Sequence, residues 1–485
     1  MRDILKNNKI YFILLIFIFI LAICLRLDMY IFNRSFWFDE AALALNVTDG
    51  SFFDLFGRLK YYQSAPPMFL FETKILTALF ATQERIFRFI PFLCSLFLLP
   101  LFYVFSKYFL YGRYTRLFAL FLFAINTNLI YYSTEFKPYA LDVFAAISLP
   151  FLVLLLKFKR PVLLGIIFAL FPWYSYASGL VEFALVLVLF AYVLKNKKHI
   201  KSFLLFLLPQ IINLPLFALH LGAIESTRSF MAKIWSWGYI QSDFSNFTTL
   251  LLENVFYTFH PYKIVLKIFP LLLPLLLGLV CFFGAVLIFK RNKLKFYLLL
   301  CPFFAVLFFA YFGLYPFYDR MTLFLTPIYL ILFAKGLERF FQKSYGVILL
   351  VIFMLASIYP VALAQINMKN LPSQDLAIFL KLKENYKKGD MIILDETSTP
   401  QFIYYSRRYD FHTKNVMTEK MTKDSYGYLI YLNSLNKSKN YWFVRSNVRF
   451  PDTADTRDAI EFFGRDRGKF IRYNEGKTDL YYVGK

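Results

Sequence analysis

Apolar runs of roughly span length alternate with short polar connectors through most of the chain. The hydrocarbon core of a bilayer takes ~20 helical residues to cross. Candidate spans fall at 10–27, 86–106, 116–133, 138–156, 161–177, 179–194, 201–221, 264–289, 296–314, 320–335 and 345–366. A further apolar stretch, "APPMFLFETKILTALFATQ" (65–83), carries Glu72 and Lys74, which are unusual at bilayer depth. Its Pro66-Pro67 pair suits the first turn of a helix, so the segment reads as an interfacial helix that does not cross. Residues 371–485 change texture, with ordinary polarity and mixed charge. There "SQDLAIFLKLKENYKKGD" has a Ser373 cap, helical apolar spacing and a glycine stop, while "MIILD", "NYWFVRS", "KFIRYN" and "DLYYVG" read as strands. The pattern predicts a polytopic α-helical membrane protein, with a transmembrane domain over 1–370 and a small α/β domain over 371–485.

Composition agrees with that pattern. Of 485 residues, 59% are hydrophobic and 21% aromatic, more apolar surface than a soluble globule of this length can hide. The first run lacks a small-residue cleavage site and is followed by further spans, so it reads as a span and not a cleaved leader. The four cysteines all lie in apolar runs without metal-ligand spacing, as small buried hydrophobes do.

The net charge of +23 would suggest nucleic acid in a soluble protein, but its distribution gives another meaning. The N-terminal tail and five connectors (107–116, 157–160, 195–201, 290–295 and 335–343) hold 20 Lys and Arg against two acids, Asp3 and Glu338. Lys and Arg mark cytoplasmic loops. With those segments inside, eleven spans put the C-terminal domain outside, together with 28–85, 134–137 and 222–263. No nucleic-acid partner is expected; membrane lipids are.

Four constellations then fall on the outer side. In "NRSFWFDEAALALN", Asp39 and Glu40 follow the first span; one reading has Asp39 capping the next helix with Glu40 on its dipole, and another has the pair doing chemistry. "YYSTEFKPYALDVF" places Glu135 and Lys137 at the end of one span and Tyr139 and Asp142 on one face of the next. Tyrosine anchoring and lysine snorkelling explain that motif except for Asp142, since an acid inside an apolar span points to function. "YPFYDRMTLFLTP" carries Asp319-Arg320, either a local ion pair or an arginine whose planar fork suits phosphate. "GRLKYYQSAPPMFLF" carries Arg58 and Lys60, which suit headgroups or a donor phosphate. Acids and phosphate-seeking cations at one interface suit a reaction on a lipid-linked phosphate.

The motifs "SFWFDEAALALN", "LKYYQSAPPMFLF", the set Glu84, Arg85, Arg88 and Pro91, "EFKPYALD" and "DRMTLFLTP" together resemble the GT-C superfamily of integral-membrane glycosyltransferases. The nearest branch is the family thirty-nine-like group, related to protein O-mannosyltransferases and lipid A aminoarabinose transferases. The resemblance implies a fold of about 11–13 transmembrane helices, a polyprenyl-phosphate sugar as donor, transfer at the outer face of the cytoplasmic membrane, and inversion. It makes Asp39 the catalytic acid of the first outer loop, Glu40 its partner, and Glu135, Lys137 and Tyr139 the second outer-loop motif. The aminoarabinose transferases have a lysine directly before the proline segment; here Ser64-Ala65 stand there, so Lys60, Lys137 or Arg320 would contact the phosphate.

The expected reaction has Asp39 as general base, Lys60, Lys137 and Arg320 at the donor phosphate, and Glu40, Glu135, Tyr139 and Asp142 orienting substrates, with no metal and no cofactor. The acceptor is a lipid, glycan or protein. A flippase for lipid-linked sugars is the main rival, although such folds favour internal repeats and none is evident. A glycan ligase or polymerase keeps the superfamily and changes the reaction. A purely structural scaffold leaves Asp142 unexplained.

Overall fold

A computed structural model describes residues 8–240, 244–259, 272–370, 375–419, 425–445, 453–465, 467–475 and 478–484. The chain divides into two compact units, one made of residues up to Phe32 and Ser51–Ile366, the other of Asn33–Gly50 and residues from Asn367 onward.

The first unit is all helical. Among its described residues eight helices are long and apolar enough to cross a membrane: Asn8–Phe32, Phe89–Ser106, Tyr139–Leu156, Tyr176–Lys195, Lys197–Ala223, Leu272–Arg291, Lys293–Tyr311 and Tyr345–Lys369, the last bent at Ser357 between Ser344–Ala356 and Ile358–Asn370. This is a multi-pass membrane protein. Three expected spans are interrupted. The run at 116–133 becomes Arg113–Ile125 and Thr127–Tyr132, broken at Asn126, whose side chain caps the second piece by accepting the Leu129 N–H. Helix Pro161–Leu170 tightens into a 3₁₀ turn at Phe171–Trp173, and 3₁₀ helix Asp319–Leu325 precedes Thr326–Gly336. Part of the expected span at 264–289 lies outside the described residues.

The break at Asn126 leaves carbonyls at a helix end without helical partners. Arg26, fully buried within Asn8–Phe32, supplies donors to them, reaching Ala124 O at 3.0 Å and its own helix's Ala22 O at 3.1 Å. Helices Leu272–Arg291 and Thr326–Gly336 pack through glycine. A Cβ on Gly284 would stand 1.9 Å from Leu332 O, and one on Gly336 2.5 Å from Val280 O. Small residues let helix backbones approach this closely where lipid offers no hydrophobic drive. Segment 65–83 forms helix Pro67–Phe80, whose 14 residues reach about 21 Å at 1.5 Å per residue and are too short to cross.

The second unit is built on a five-stranded sheet: β1 (Met391–Asp395), β2 (Val416–Glu419), β3 (Tyr441–Arg445), β4 (Lys469–Glu475) and β5 (Thr478–Gly484). Its order is β2-β1-β3-β5-β4, with β1 parallel to β2 and β3, and β5 antiparallel to β3 and β4. All five β3 residues are buried, as expected of a strand at the centre of the sheet and covered on both faces. Ile393, Phe443 and Tyr481 meet Leu432 and Ile460 from helices Ser425–Ser434 and Thr453–Arg465. Four strands match the sequence expectation; β2 was not foreseen. The expected Ser373 cap lies outside the described residues, and its helix runs Asp375–Asn385.

Helix Phe38–Asp49 is part of this second unit. It lies against helix Thr399–Arg408: the Phe36 N–H donates to Tyr405 Oη at 2.7 Å, the Phe36 and Tyr404 rings sit 5.0 Å apart, and Arg407 pairs with Asp49 at 2.6 Å.

Candidate functional site

In the first unit the site is built where the chain turns between helices Thr127–Tyr132 and Tyr139–Leu156. The Lys137 N–H donates to Glu135 O at 2.7 Å, closing a three-residue turn with Phe136 between them. Both side chains are buried. Lys137 Nζ donates to Gln63 Oε1 at 2.8 Å, so a residue in the loop before the double proline holds the ammonium of the later motif.

That loop is shaped for the purpose. Tyr61 and Tyr62 both adopt left-handed backbone conformations, with φ of 59° and 51°. Such conformations cost a non-glycine residue about 1 kcal/mol or more. Tyr62 stacks on Phe230 at 4.1 Å, and Gln63 emerges from the turn buried. Upstream, Asp54 accepts from the Ser51 N–H and hydroxyl, which holds its carboxyl below the usual range. His220 fastens the same loop: its Nδ1 donates to Phe56 O at 2.7 Å, and its Nε2 lies 2.8 Å from the Tyr176 hydroxyl, which also donates to Ala65 O at 3.0 Å.

Pro138 precedes helix Tyr139–Leu156, with Tyr139 and Asp142 in its first turn. Their side chains have different partners. Asp142 Oδ1 accepts from the Ser175 hydroxyl at 2.6 Å, and Ser175 in turn caps helix Tyr176–Lys195 by accepting the Ser178 N–H. Tyr139 faces Arg320, whose guanidinium carbon lies 5.9 Å from the Tyr139 ring centre and 5.3 Å from that of Trp235. Arg320 is buried and is the second residue of the 3₁₀ helix, after Asp319 at a positive φ of 50°. Trp235 is brought close by the turn Ser236–Gly238, where Gly238 O accepts the Phe317 N–H at 2.7 Å. A Cβ on Gly238 would meet the Pro316 and Tyr318 Cβ atoms at 3.2 and 3.3 Å, so the close approach uses glycine.

The first unit thus gathers Glu135, Lys137, Tyr139, Asp142 and Arg320 around the N-terminal end of one helix. Lys60 belongs to the same unit but is exposed, three residues from Gln63. Asp39 and Glu40 belong to the second unit, in the first turn of helix Phe38–Asp49. The expected N-cap role of Asp39 is corrected: Trp37 takes that position in extended conformation, and Asp39 and Glu40 stand inside the helix. Two negative charges there still complement the N-terminal dipole. Glu40 is buried and Asp39 is partly exposed.

Gln63, Ser175, Tyr176, His220 and Trp235 were missed by the sequence reading. An isolated polar residue in an aromatic or apolar run gives little signal, and each of these gains meaning only from a partner 33 to 85 positions away or from the loop it fastens.

No family model matches the sequence, and no curated protein matches it. Among solved structures, ArnT from Cupriavidus metallidurans bound to undecaprenyl phosphate superposes with a TM-score of 0.54 at 12% identity, covering 98% of each chain. The same protein in the apo state gives 0.52 at 12% identity, covering 96% of this chain and 97% of that one. The chain therefore has the fold of ArnT over nearly its whole length.

Proposed function

We propose that this protein is a membrane glycosyltransferase that moves a sugar from a polyprenyl-phosphate-linked donor to a lipid, glycan or protein acceptor at the outer face of the cytoplasmic membrane. The observation that carries the reading is the pair of buried cations in the first unit, Lys137 just before helix Tyr139–Leu156 and Arg320 over the Tyr139 ring, in a chain with the ArnT fold. Burying a charge costs several kcal/mol unless something compensates it. Lys137 donates to Gln63 and Arg320 lies over two aromatic faces, contacts that hold both cations in fixed positions. Cations held in this way suit the oxygens of a phosphate group. Undecaprenyl phosphate is the ligand bound to the ArnT neighbour.

In this reading the acceptor hydroxyl gives its proton to Asp39 as its oxygen attacks the anomeric carbon. The bond from that carbon to the phosphate oxygen breaks on the opposite face, and polyprenyl phosphate leaves with the electron pair, inverting the configuration. Lys137 and Arg320 stabilise the charge growing on that phosphate, and Lys60 meets the donor on approach. Glu40, Glu135 and Asp142 orient the sugar and the acceptor, with Tyr139 holding the Arg320 guanidinium in place.

The test is Asp39→Asn in the purified full-length protein, with the donor-lipid pool followed by mass spectrometry. Wild-type protein should convert sugar-linked lipid to free polyprenyl phosphate, and the variant should do so at least about a hundredfold more slowly. Transfer undiminished in Asp39→Asn removes Asp39 as the base. A donor that crosses the membrane chemically intact, with wild-type protein, favours a flippase instead.

A further inference from the structure

At the far end of helix Thr326–Gly336 from Arg320, three basic connectors converge on one aromatic ring. Tyr111, in the turn after helix Phe89–Ser106, has the Arg291 guanidinium carbon 3.3 Å from its ring centre, Lys335 Nζ at 4.8 Å and Lys295 Nζ at 5.9 Å. Between them lies a small, shallow cleft lined by Tyr108, Tyr111, Arg291, Lys295 and Lys335 among others.

The charges in this cleft are not balanced. Lys335 is buried and pairs with Glu338, and that carboxylate is fully used, because its other oxygen accepts the Tyr111 and Gly112 N–H groups. Lys295 spends one of its three donors on Tyr108 O at 2.8 Å. Arg291 lies over Tyr111 at stacking distance, and among the described residues none of its donors has a protein acceptor. Two cations without a carboxylate are therefore held in fixed positions, one of them with its planar fork free at the edge of the ring.

A merely solvated face would spread such charges apart, since like charges repel and long side chains lose entropy when ordered. Here one tyrosine and one carboxylate collect three of them. A stacked guanidinium beside an ammonium suits the oxygens of a phosphate group, and basic pockets between membrane helices take anionic headgroups.

We propose that the cleft at Tyr108, Tyr111, Arg291, Lys295 and Lys335 is an anion site that binds a phosphate group, separate from the site around Tyr139. It would anchor this end of the helical bundle to an anionic lipid or take up free phosphate.

The test compares wild type with Arg291→Gln/Lys295→Gln, full length and in detergent, leaving Lys335 in place because it closes the Glu338 pair. Native mass spectrometry reads adducts with phosphatidylglycerol and with phosphatidylcholine, and a thermal-shift series reads inorganic phosphate. Phosphatidylglycerol binding should weaken on the order of tenfold in the double variant, with phosphatidylcholine unchanged. Variant-sensitive lipid binding that inorganic phosphate does not displace identifies a headgroup. Variant-sensitive stabilisation by phosphate, with competition against the lipid, identifies free phosphate. If the double variant does not fold, Arg291→Gln alone is read in the same way. Equal retention of phosphatidylglycerol by wild type and variant, with no variant-sensitive effect of phosphate, overturns the proposal.

Discussion

Lys137 and Gln63 lie 74 residues apart, yet the lysine ammonium donates to the glutamine oxygen at 2.8 Å inside the protein. The contact joins the two motifs that together suggested a phosphate-handling enzyme. It also fixes where the charge of Lys137 sits before any ligand arrives. Preorganised charge of this kind needs no rearrangement at the moment of reaction.

Gln63→Leu removes that acceptor from a buried ammonium. Hydrogen bonds to charged groups are worth about 1.5–3 kcal/mol, so the melting temperature in detergent should fall. Added undecaprenyl phosphate should restore more of the variant's stability than it adds to wild type, because phosphate oxygens replace the lost partner. A shift from the ligand that is the same in both proteins would separate Lys137 from the donor phosphate.

Arg320→Lys keeps the charge and loses the planar fork and the flat face against Tyr139 and Trp235. Transfer should drop about tenfold or more in Arg320→Lys and about 10²–10³-fold in Arg320→Gln, the loss seen when one charge-stabilising donor is removed. Steady-state rates at saturating donor, with matched thermal stability, check both.

Tyr405→Phe deletes the hydroxyl that accepts the Phe36 N–H at 2.7 Å, just ahead of the helix carrying Asp39 and Glu40. Leaving that buried donor unsatisfied costs about 1–3 kcal/mol. Hydrogen exchange should quicken over residues 33–49 while β1 and β3 keep their protection. If Asp39 is the base, the rate of transfer should fall with donor affinity retained.

Gly284→Ala places a Cβ against the Leu332 carbonyl at 1.9 Å, so helices Leu272–Arg291 and Thr326–Gly336 must separate. Overpacking of this kind costs roughly 1–3 kcal/mol. Gly278→Ala on the same helix meets nothing within 4 Å and should be neutral or stabilising, by about 1 kcal/mol of helix propensity. Thermal unfolding of the two variants side by side is the measurement.

Much of the fold was legible because membrane spans are written in composition. Eight of the eleven expected spans coincide with helices long and apolar enough to cross a membrane, and four of five strands stand where alternating or β-branched runs suggested them. The three interrupted spans escaped notice for a local reason. Asn126, Pro172 and the left-handed Asp319 break helices whose overall hydropathy still reads as a span. Strand β2, "VMTE", is too short and too polar to register alone; it exists because β1 offers it a parallel edge. Asp39 as an N-cap was a fair reading of sequence, but the Trp37 backbone takes that position and leaves the acid two positions inward, as the second residue of the helix.

By itself the sequence determined that this is a multi-pass membrane protein with a mixed α/β region, and which acids and cations are out of place in apolar surroundings. Period, length and charge are properties of a segment, and a segment carries them wherever it folds. Only the tertiary structure decided their partners: Gln63 for Lys137, Ser175 for Asp142, Tyr139 and Trp235 for Arg320, and the strand-bearing unit as the home of the Asp39 helix. A side chain's partner depends on which distant backbone is packed beside it, and that is fixed by the burial of the whole core rather than by any one motif.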